Sequence, residues 1–373
     1  MYNKITQIFE IIRIFVIIIY IIMNEIFDRT IYIGPDINGK GGISAVLKSY
    51  SDNLPEFHYL QSNSRHGTLA GLFYLIYLLT ALLVYKYVLG YRILHIHGAT
   101  GKSFIRKSLI ISWGKILGYK IIFHNHGAET KEYYAKRGID VIRKILDKCD
   151  SIVVLSSVWK DYFEQTFGYK NVSIINNIVA HADNSIRTEK HNNIRLLFLG
   201  HIGYRKGIFD LLDVITDNKD FLDNKIELII GGNGEIEKLK SIIEQHGLQN
   251  MVKYIGWISG RKKFELLANS DILMLPSYNE GLPISILEAM AYSKAVISTT
   301  VGGIPSIIKN GENGFLTEPG DKAAMFDAIK HYIDNPQDIT IHGAAGLKMV
   351  FPFYPESVTK QLYDLYVSIL KDA

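Results

Sequence analysis

The stretch Asp271-Ile-Leu-Met-Leu-Pro-Ser-Tyr-Asn-Glu280-Gly-Leu-Pro-Ile-Ser-Ile-Leu-Glu288-Ala-Met-Ala291 decides the fold. Its apolar run after Asp271 reads as a buried strand, Pro276-Ser277 turns the chain, and Pro283 stands near the first position of a helix. Proline is tolerated there because the first helical N–H has no partner to lose. The backbone amides around Gly281, Leu282, Pro283 and Ile284 therefore gather at a positive helix end, a natural site for a phosphate or another anion. Two carboxylates flank it. Glu280 lies in the loop, and Glu288 interrupts the apolar run inside the helix, where a carboxylate needs a partner such as ligand hydroxyls.

Strand-like runs recur on both sides of this segment. Arg195–Leu199, Glu227–Ile230, Val252–Ile255 and Ala295–Ser298 alternate with helical stretches, as do Arg29–Gly34, Ile93–Ile96, Lys120–Phe123, Ser151–Leu155 and Val172–Ile175 in the first half. Such alternation predicts parallel sheets covered on both faces by helices. The chain has 373 residues, whereas single cores stop growing near ~250, so two domains are expected. The polar segment Val179–Asn193 divides the two series of strands and reads as an interdomain linker. The expected fold class is α/β, with two Rossmann-like doubly wound domains facing each other across a cleft. The boundaries are an apolar extension at 1–23, an N-terminal domain at 24–182, a linker at 183–194, a C-terminal domain at 195–350 and a last helix at 351–373. That helix is expected to pack back toward the N-terminal domain.

With 48% hydrophobic and 21% charged residues, the composition excludes a disordered, collagenous or coiled-coil protein. A single cysteine, Cys149, excludes an internal disulfide and any cysteine-rich metal site. A net charge of +4 conceals a basic first half and an acidic second half. The basic half suits an anionic membrane surface or phosphorylated ligands, while its scattered cations lack the pattern of a nucleic-acid-binding stretch.

The N-terminus is nearly all apolar from Ile5 to Met23, interrupted by Thr6, Gln7, Glu10 and Arg13, and its uncharged stretch from Ile14 to Asn24 is short for a spanning helix. It is read as a helix lying on a membrane or on the protein itself, or as an upstream extension before a start at Met23. The charge-free segment Leu69–Tyr85 is expected to be a buried core helix, with a lipid-docking patch as the alternative.

A second candidate site is Leu199-Gly-His-Ile-Gly203-Tyr-Arg205-Lys206-Gly207, where two adjacent cations at a glycine-rich turn suit a diphosphate. In the first half, Gly39-Lys-Gly41-Gly42-Ile43 forms another glycine-rich strand-to-helix turn. His95, His97, His124 and His126 come in His-x-His pairs that place both rings on one strand face and invite a metal. No cysteine lies near them to complete such a site.

Taken together, Pro276-Ser277, Glu280-Gly-Leu-Pro283 and the spacing to Glu288-Ala-Met-Ala291 resemble the signature of the family-4 retaining glycosyltransferases of GT-B fold, group 1 enzymes of surface polysaccharide biosynthesis. The resemblance runs along nearly all of residues 29–350. It implies an N-terminal acceptor domain and a C-terminal domain that binds a nucleoside diphosphate sugar. By that match, Glu280 contacts the donor sugar hydroxyls and Glu288 the ribose, and Lys206 binds the diphosphate. Arg205 takes the place of an arginine the family has directly after the first glycine, where this chain has His201. Gly41 and Gly42 approach the diphosphate, His126 in Phe123-His-Asn-His-Gly127 contacts the donor sugar, and His95 and His97 are core or supporting groups. Gly203, Ile258 in Tyr254-Ile-Gly-Trp257-Ile258, Gly281, Leu282, Pro283 and Ile284 complete the donor site. Gly231-Gly-Asn-Gly234 matches the family's glycine turn, and Ser306 stands where the family commonly has Glu.

The expected activity is a hexosyltransferase that moves a sugar, with retention, to a glycan or lipid-linked acceptor for capsule, exopolysaccharide or lipopolysaccharide. It needs no cofactor and no metal, and a UDP-sugar is favoured over a GDP-sugar. The expected location is cytoplasmic, peripheral on the inner face of the plasma membrane, with no nucleic acid as partner. The alternatives are a nucleotide-sugar hydrolase or epimerase on the same fold and a non-catalytic membrane scaffold. Acceptor choice is expected to lie in the loops 63–69 and 128–138.

Overall fold

The structure, a computed structural model, describes residues 23–63 and 68–371. Residues 1–22 of the extension at 1–23 and most of the loop at 63–69 lie outside the described residues. The chain divides into two compact units. Among the described residues, the first takes those up to Val154, Lys160–Ile178 and the helix from Pro355, and the second takes Leu155–Trp159 and Val179–Tyr354.

In the first unit, β1 (Thr30–Gly34), β2 (His58–Gln61), β3 (Ile93–Gly98), β4 (Lys120–Asn125), β5 (Ser151–Val154) and β6 (Val172–Ile174) form one sheet. Its order is β2-β1-β3-β4-β5-β6 and every pair is parallel. β1, β3 and β5 are buried along their whole length, which is why their sequences are rich in large apolar residues. In the second unit, β7 (Ile194–Leu199), β8 (Ile226–Gly231), β9 (Val252–Tyr254), β10 (Ile272–Leu275), β11 (Ala295–Thr299) and β12 (Gly314–Thr317) form the other sheet. Its order is β12-β11-β10-β7-β8-β9, again all parallel. Both sheets reverse their winding beside the first strand, so neighbouring loops diverge at the strands' carboxyl ends and leave room for a ligand.

The strands β2 and β12 were not expected from the sequence. Each is a four-residue edge strand, His58-Tyr-Leu-Gln61 and Gly314-Phe-Leu-Thr317. An edge strand is covered less than a central one, so neither shows a sustained apolar run. The stretch 183–194 lies within the second unit and packs on it. Ile186 is buried, the Asp183 amide donates to Tyr292 Oη at 3.1 Å, and the Glu189 amide donates to Asn269 Oδ1 at 2.7 Å.

The expectation of a core helix at Leu69–Tyr85 needs correction. The helix Thr68–Tyr87 buries Leu78, Ala81 and Leu82 but leaves Leu72, Phe73, Ile76 and Tyr77 exposed. A segment apolar all round carries no phase in its sequence, and a helix laid on one face of a sheet can cover only one of its own sides.

The helix Pro355–Lys371 belongs to the first unit and turns Val358, Leu362, Tyr366 and Ile369 inward. Its Tyr366 ring meets Phe27 edge-on at 5.5 Å. Leu362 is fully buried, so Leu362→Ala should destabilise the first unit by about 2–5 kcal/mol through lost contacts and a residual cavity. Chemical denaturation followed by circular dichroism should show one transition moved to lower denaturant. Two unmoved transitions would mean that the last helix contributes little to this core.

Candidate active site

Lys206 and Glu280 meet at the winding reversal of the second sheet. Lys206 closes the short 3-10 turn Tyr204–Lys206 that follows β7, and Glu280 lies in the loop between β10 and the helix Ile284–Ala291. Their side chains form an ion pair and are nearly buried. Ser277 Oγ donates to the same carboxylate oxygen, Oε1, at 2.7 Å. Thr299 Oγ1 in turn donates to the Ser277 carbonyl at 2.6 Å, which fixes the loop that carries both partners. Two charges withdrawn from water cost several kcal/mol apiece, so a pair of this kind persists only with close geometry and further hydrogen bonds. The Ser277 bond is one such addition.

The two loops are held together through the backbone. Tyr278 N donates to the Arg205 carbonyl at 2.9 Å, and Arg205 Nη1 donates to the Asn279 carbonyl at 2.9 Å. Gly207 sits between them in the left-handed region at φ 68°, and a Cβ there would lie 1.9 Å from the Pro276 carbonyl oxygen. Gly302, at φ 58°, approaches the Glu280 carbonyl just as closely. Arg205 itself is exposed, its guanidinium directed at the Asn279 carbonyl rather than at an acid.

The helix Ile284–Ala291 begins at Pro283, and Gly281 before it receives a hydrogen bond from the Gly303 amide at 2.7 Å. Leu282 is buried beneath this entry. No side chain caps the helix and its first turn contains no acid, so its positive end is not neutralised by the protein. Glu288, one turn further in, pairs with Lys263 of the helix Arg261–Ala268. The partner its apolar setting demands thus comes from the protein. Ile258 lies beside the end of β8, 3.4 Å from where a Gly231 Cβ would stand. Gly203 precedes the Tyr204–Lys206 turn in an extended conformation. The glycines at 231–234 serve packing: a Cβ on Gly232 would lie 1.9 Å from the Gly200 carbonyl oxygen.

The first unit holds the remaining candidates. Gly41 caps the helix Gly42–Asn53, and a Cβ on either Gly41 or Gly42 would meet nothing within 4 Å. Neither crowding nor a left-handed backbone requires glycine there. Both line a cavity of about 420 Å³ with Pro35, Asp36, Ser44 and Asn63.

The four histidines form a stacked column. His95 Nδ1 lies 2.6 Å from Tyr366 Oη, His95 Nε2 lies 3.1 Å from His124 Nδ1, and His97 Nδ1 lies 2.9 Å from His126 Nε2. Burial holds all four rings far below their usual pKa, His95 and His126 at about 3. Tyr366 donates its hydrogen to Tyr32 Oη at 3.1 Å, so His95 Nδ1 must donate to Tyr366 and His124 Nδ1 to His95. His124 Nε2 is then a bare acceptor, in keeping with its lack of any partner. His97 Nε2 is likewise buried and unpartnered, and hydrogen on its Nδ1 avoids a stranded N–H. That assigns His126 a hydrogen on Nδ1. Lys107, fully buried beside this column with Ser103 Oγ at 2.9 Å, is pushed down to about 7 by burial.

His95, His97 and His124 could each offer a nitrogen to a metal ion, the three atoms lying within 4.8 Å of one another. Both nitrogens of His95 are already engaged, and the stacked rings, 17° to 35° apart, send their in-plane lone pairs side by side rather than to one point. The column is therefore a hydrogen-bonded unit and is assigned no metal.

The sequence reading missed Lys263, Ser277 and Lys107. Lys263 stands in the run Arg261-Lys-Lys263, where nothing marks which cation turns inward. Ser277 reads in the sequence as part of a turn and of the signature, with nothing to mark its hydroxyl as a partner of Glu280.

Residues 182–345 match the family model described as glycosyl transferases group 1. Among curated relatives, an uncharacterized glycosyltransferase of Methanocaldococcus jannaschii is 27% identical over 209 residues, 53% of either chain. A phosphatidyl-myo-inositol mannosyltransferase of Mycobacterium leprae is 24% identical over 282 residues, 74% of this chain and 73% of its own. The chain spans about half the length of several other relatives. HepE of Anabaena, solved in complex with UDP and glucose, superposes with a TM-score of 0.73 over 91% of this chain and 99% of its own, at 16% identity. The fold is thus that of the GT-B glycosyltransferases. Within it, residues 182–345 are the part similar to the group 1 glycosyl transferases.

Two measurements test this geometry. Gly207→Ala should destabilise the second unit by more than about 1 kcal/mol, because it adds both a left-handed Cβ and a clash, whereas Gly41→Ala should leave thermal stability unchanged. Equal melting temperatures for the two variants would contradict the loop contact. The second concerns pH. An unfolded histidine binds a proton below pH 6.5 and the buried ring does not until about 3, so stability falls as pH drops through this window. For His95 the loss is about 2 kcal/mol at pH 5. The melting temperature should therefore decline from pH 7 to pH 5, and His95→Gln should flatten that slope. An unchanged slope would contradict the neutral column.

Proposed function

We propose that this protein is a retaining glycosyltransferase that moves a sugar from a nucleoside diphosphate sugar, a UDP-sugar foremost, to a glycan or lipid-linked acceptor in surface polysaccharide biosynthesis. The observation that carries the reading is the Lys206–Glu280 pair beside an uncapped helix start at the sheet's winding reversal. A diphosphate arriving there meets a cation already positioned and the unneutralised positive end of Ile284–Ala291. Charge that grows on the leaving diphosphate is stabilised without reorganisation, which is where electrostatic catalysis gains most. Arg205, exposed at the same turn, adds a second cation.

Glu280 has roles at both ends of the transfer. One oxygen holds Lys206 and Ser277, and a carboxylate retains acceptor capacity for sugar hydroxyls. Glu288, steadied by Lys263, can accept ribose hydroxyls in the same manner. No residue of the group has the setting of an activated nucleophile. The reading therefore has the acceptor hydroxyl attack on the face from which the diphosphate departs, with the acceptor's proton passing to a donor phosphate oxygen. In the first unit, neutral His126 offers its Nδ1 hydrogen to an uncharged oxygen such as a sugar hydroxyl, and Gly41-Gly42 lets a ligand lie against bare backbone. The complex of HepE with UDP and glucose supports the choice of nucleotide. The reading places the protein in the cytoplasm at the inner face of the plasma membrane, without metal or other cofactor.

Transfer from labelled UDP-sugars to a membrane extract tests this. Lys206→Ala and Glu280→Gln should each lower transfer at least ~100-fold with circular dichroism unchanged. Wild-type rates in both would sink the proposal. Release of free sugar at the full rate without acceptor would instead make the protein a hydrolase.

A further inference from the structure

The helix Thr68–Tyr87 presents to solvent a stripe that is apolar at helical spacing. Leu72, Phe73, Ile76, Tyr77, Val84 and Tyr87 are all exposed, Phe73 at 71%. On the neighbouring helix Gly101–Ile116, Ile105, Leu109 and Ile116 are exposed as well, Ile116 at 74%. The two helices lie side by side: Trp113 Nε1 donates to the Leu79 carbonyl at 2.9 Å, and Tyr119 Oη donates to the Leu82 carbonyl at 2.7 Å. Soluble proteins seldom leave so many large apolar side chains together in water, and such patches mark interaction surfaces.

Charge identifies the partner. From Phe57 to Ala128 the sequence contains no Asp or Glu, and besides the buried Lys107 it contains Arg65, Lys86, Arg92, Lys102, Arg106, Lys115 and Lys120. Lys102 and Lys115 stand exposed near the two ends of the second helix. A second copy of the chain would set this cationic segment against its own like and pay for the repulsion. An anionic lipid surface gains on both counts, since apolar side chains enter the headgroup boundary while lysines and arginines meet the headgroups. Among the described residues no helix is long and apolar enough to cross a membrane, so the helices would lie in the surface plane.

We infer that these two helices form the face by which the protein docks on a bilayer rich in anionic lipids. The inference rests on the reading that the acceptor lies at a membrane, and it deepens that reading by naming the surface and the lipid class. Binding can be read without donor or acceptor, so its failure is distinguishable from failure of the transfer chemistry.

The test is co-sedimentation of the full chain with vesicles of phosphatidylcholine, alone or mixed with phosphatidylglycerol. The chain should sediment with the mixed vesicles and release at high salt. The triple variant Phe73→Ser, Ile76→Ser, Val84→Ser should bind at least about tenfold more weakly, and Lys102→Glu with Lys115→Glu should weaken binding to the mixed vesicles only. Leu72→Trp gives a second readout, a blue shift of its emission on mixed vesicles and quenching by brominated lipid. Unchanged binding by the triple variant, or no shift at position 72, would overturn the inference. So would sedimentation equilibrium showing a dimer in lipid-free buffer that the triple variant abolishes, since the face would then belong to a second copy.

Discussion

A lysine and a glutamate from opposite sides of a winding reversal, drawn out of water together, set the terms for the second unit. Neither charge would be tolerated there alone. Their meeting requires that the loop after β7 and the loop after β10 come within side-chain reach, and that the backbone permit it. Gly207 and Gly302 supply the permission, since each sits where a Cβ would strike a carbonyl of the neighbouring loop. Ser277 and Thr299 then tie the carboxylate's own loop in place. The pair is thus less a source of stability than a fixed charge pattern, with a cation and an acid presented beside an uncapped helix start.

The first unit solves a different problem with the same architecture. Its buried polar groups are neutral imidazoles and phenols in a chain of hydrogen bonds from Tyr32 through Tyr366 and His95 to His124, with His97 and His126 stacked alongside. Burial strips these rings of charge, and the direction of hydrogen bonding fixes which nitrogen of each carries hydrogen. Tyr366 belongs to the last helix, so the C-terminal segment is bound into the polar interior of a unit that begins more than 300 residues earlier. The outer surface of this unit departs from the ordinary pattern, with an apolar stripe facing water in a segment that has cations and no acids.

Much of this was legible in the sequence. Central parallel strands are buried on both faces, so they announce themselves as apolar runs, and the alternation with helices dictates the class of fold. The strand, turn and helix from Asp271 to Ala291 were readable residue by residue because Pro276, Pro283 and the two glutamates each have a narrow set of places they can occupy. Edge strands such as β2 and β12 were not readable, because half-covered strands need no continuous apolar run. The helix at 68–87 was readable as a helix but not as to which side faces inward.

The amino-acid sequence by itself determined the two-sheet α/β architecture, the residue types at the candidate donor site and the imbalance of charge between the halves. These follow from local chemistry: periodicity, turn residues and composition. Only the tertiary structure decided that Lys263 answers Glu288, that Ser277 shares an oxygen with Lys206, that four histidines stand in one column, and that an apolar helix face looks outward. Each of those depends on which side chains distant strands and helices bring together, and pairing across a fold is set by packing geometry, of which a linear pattern carries no record.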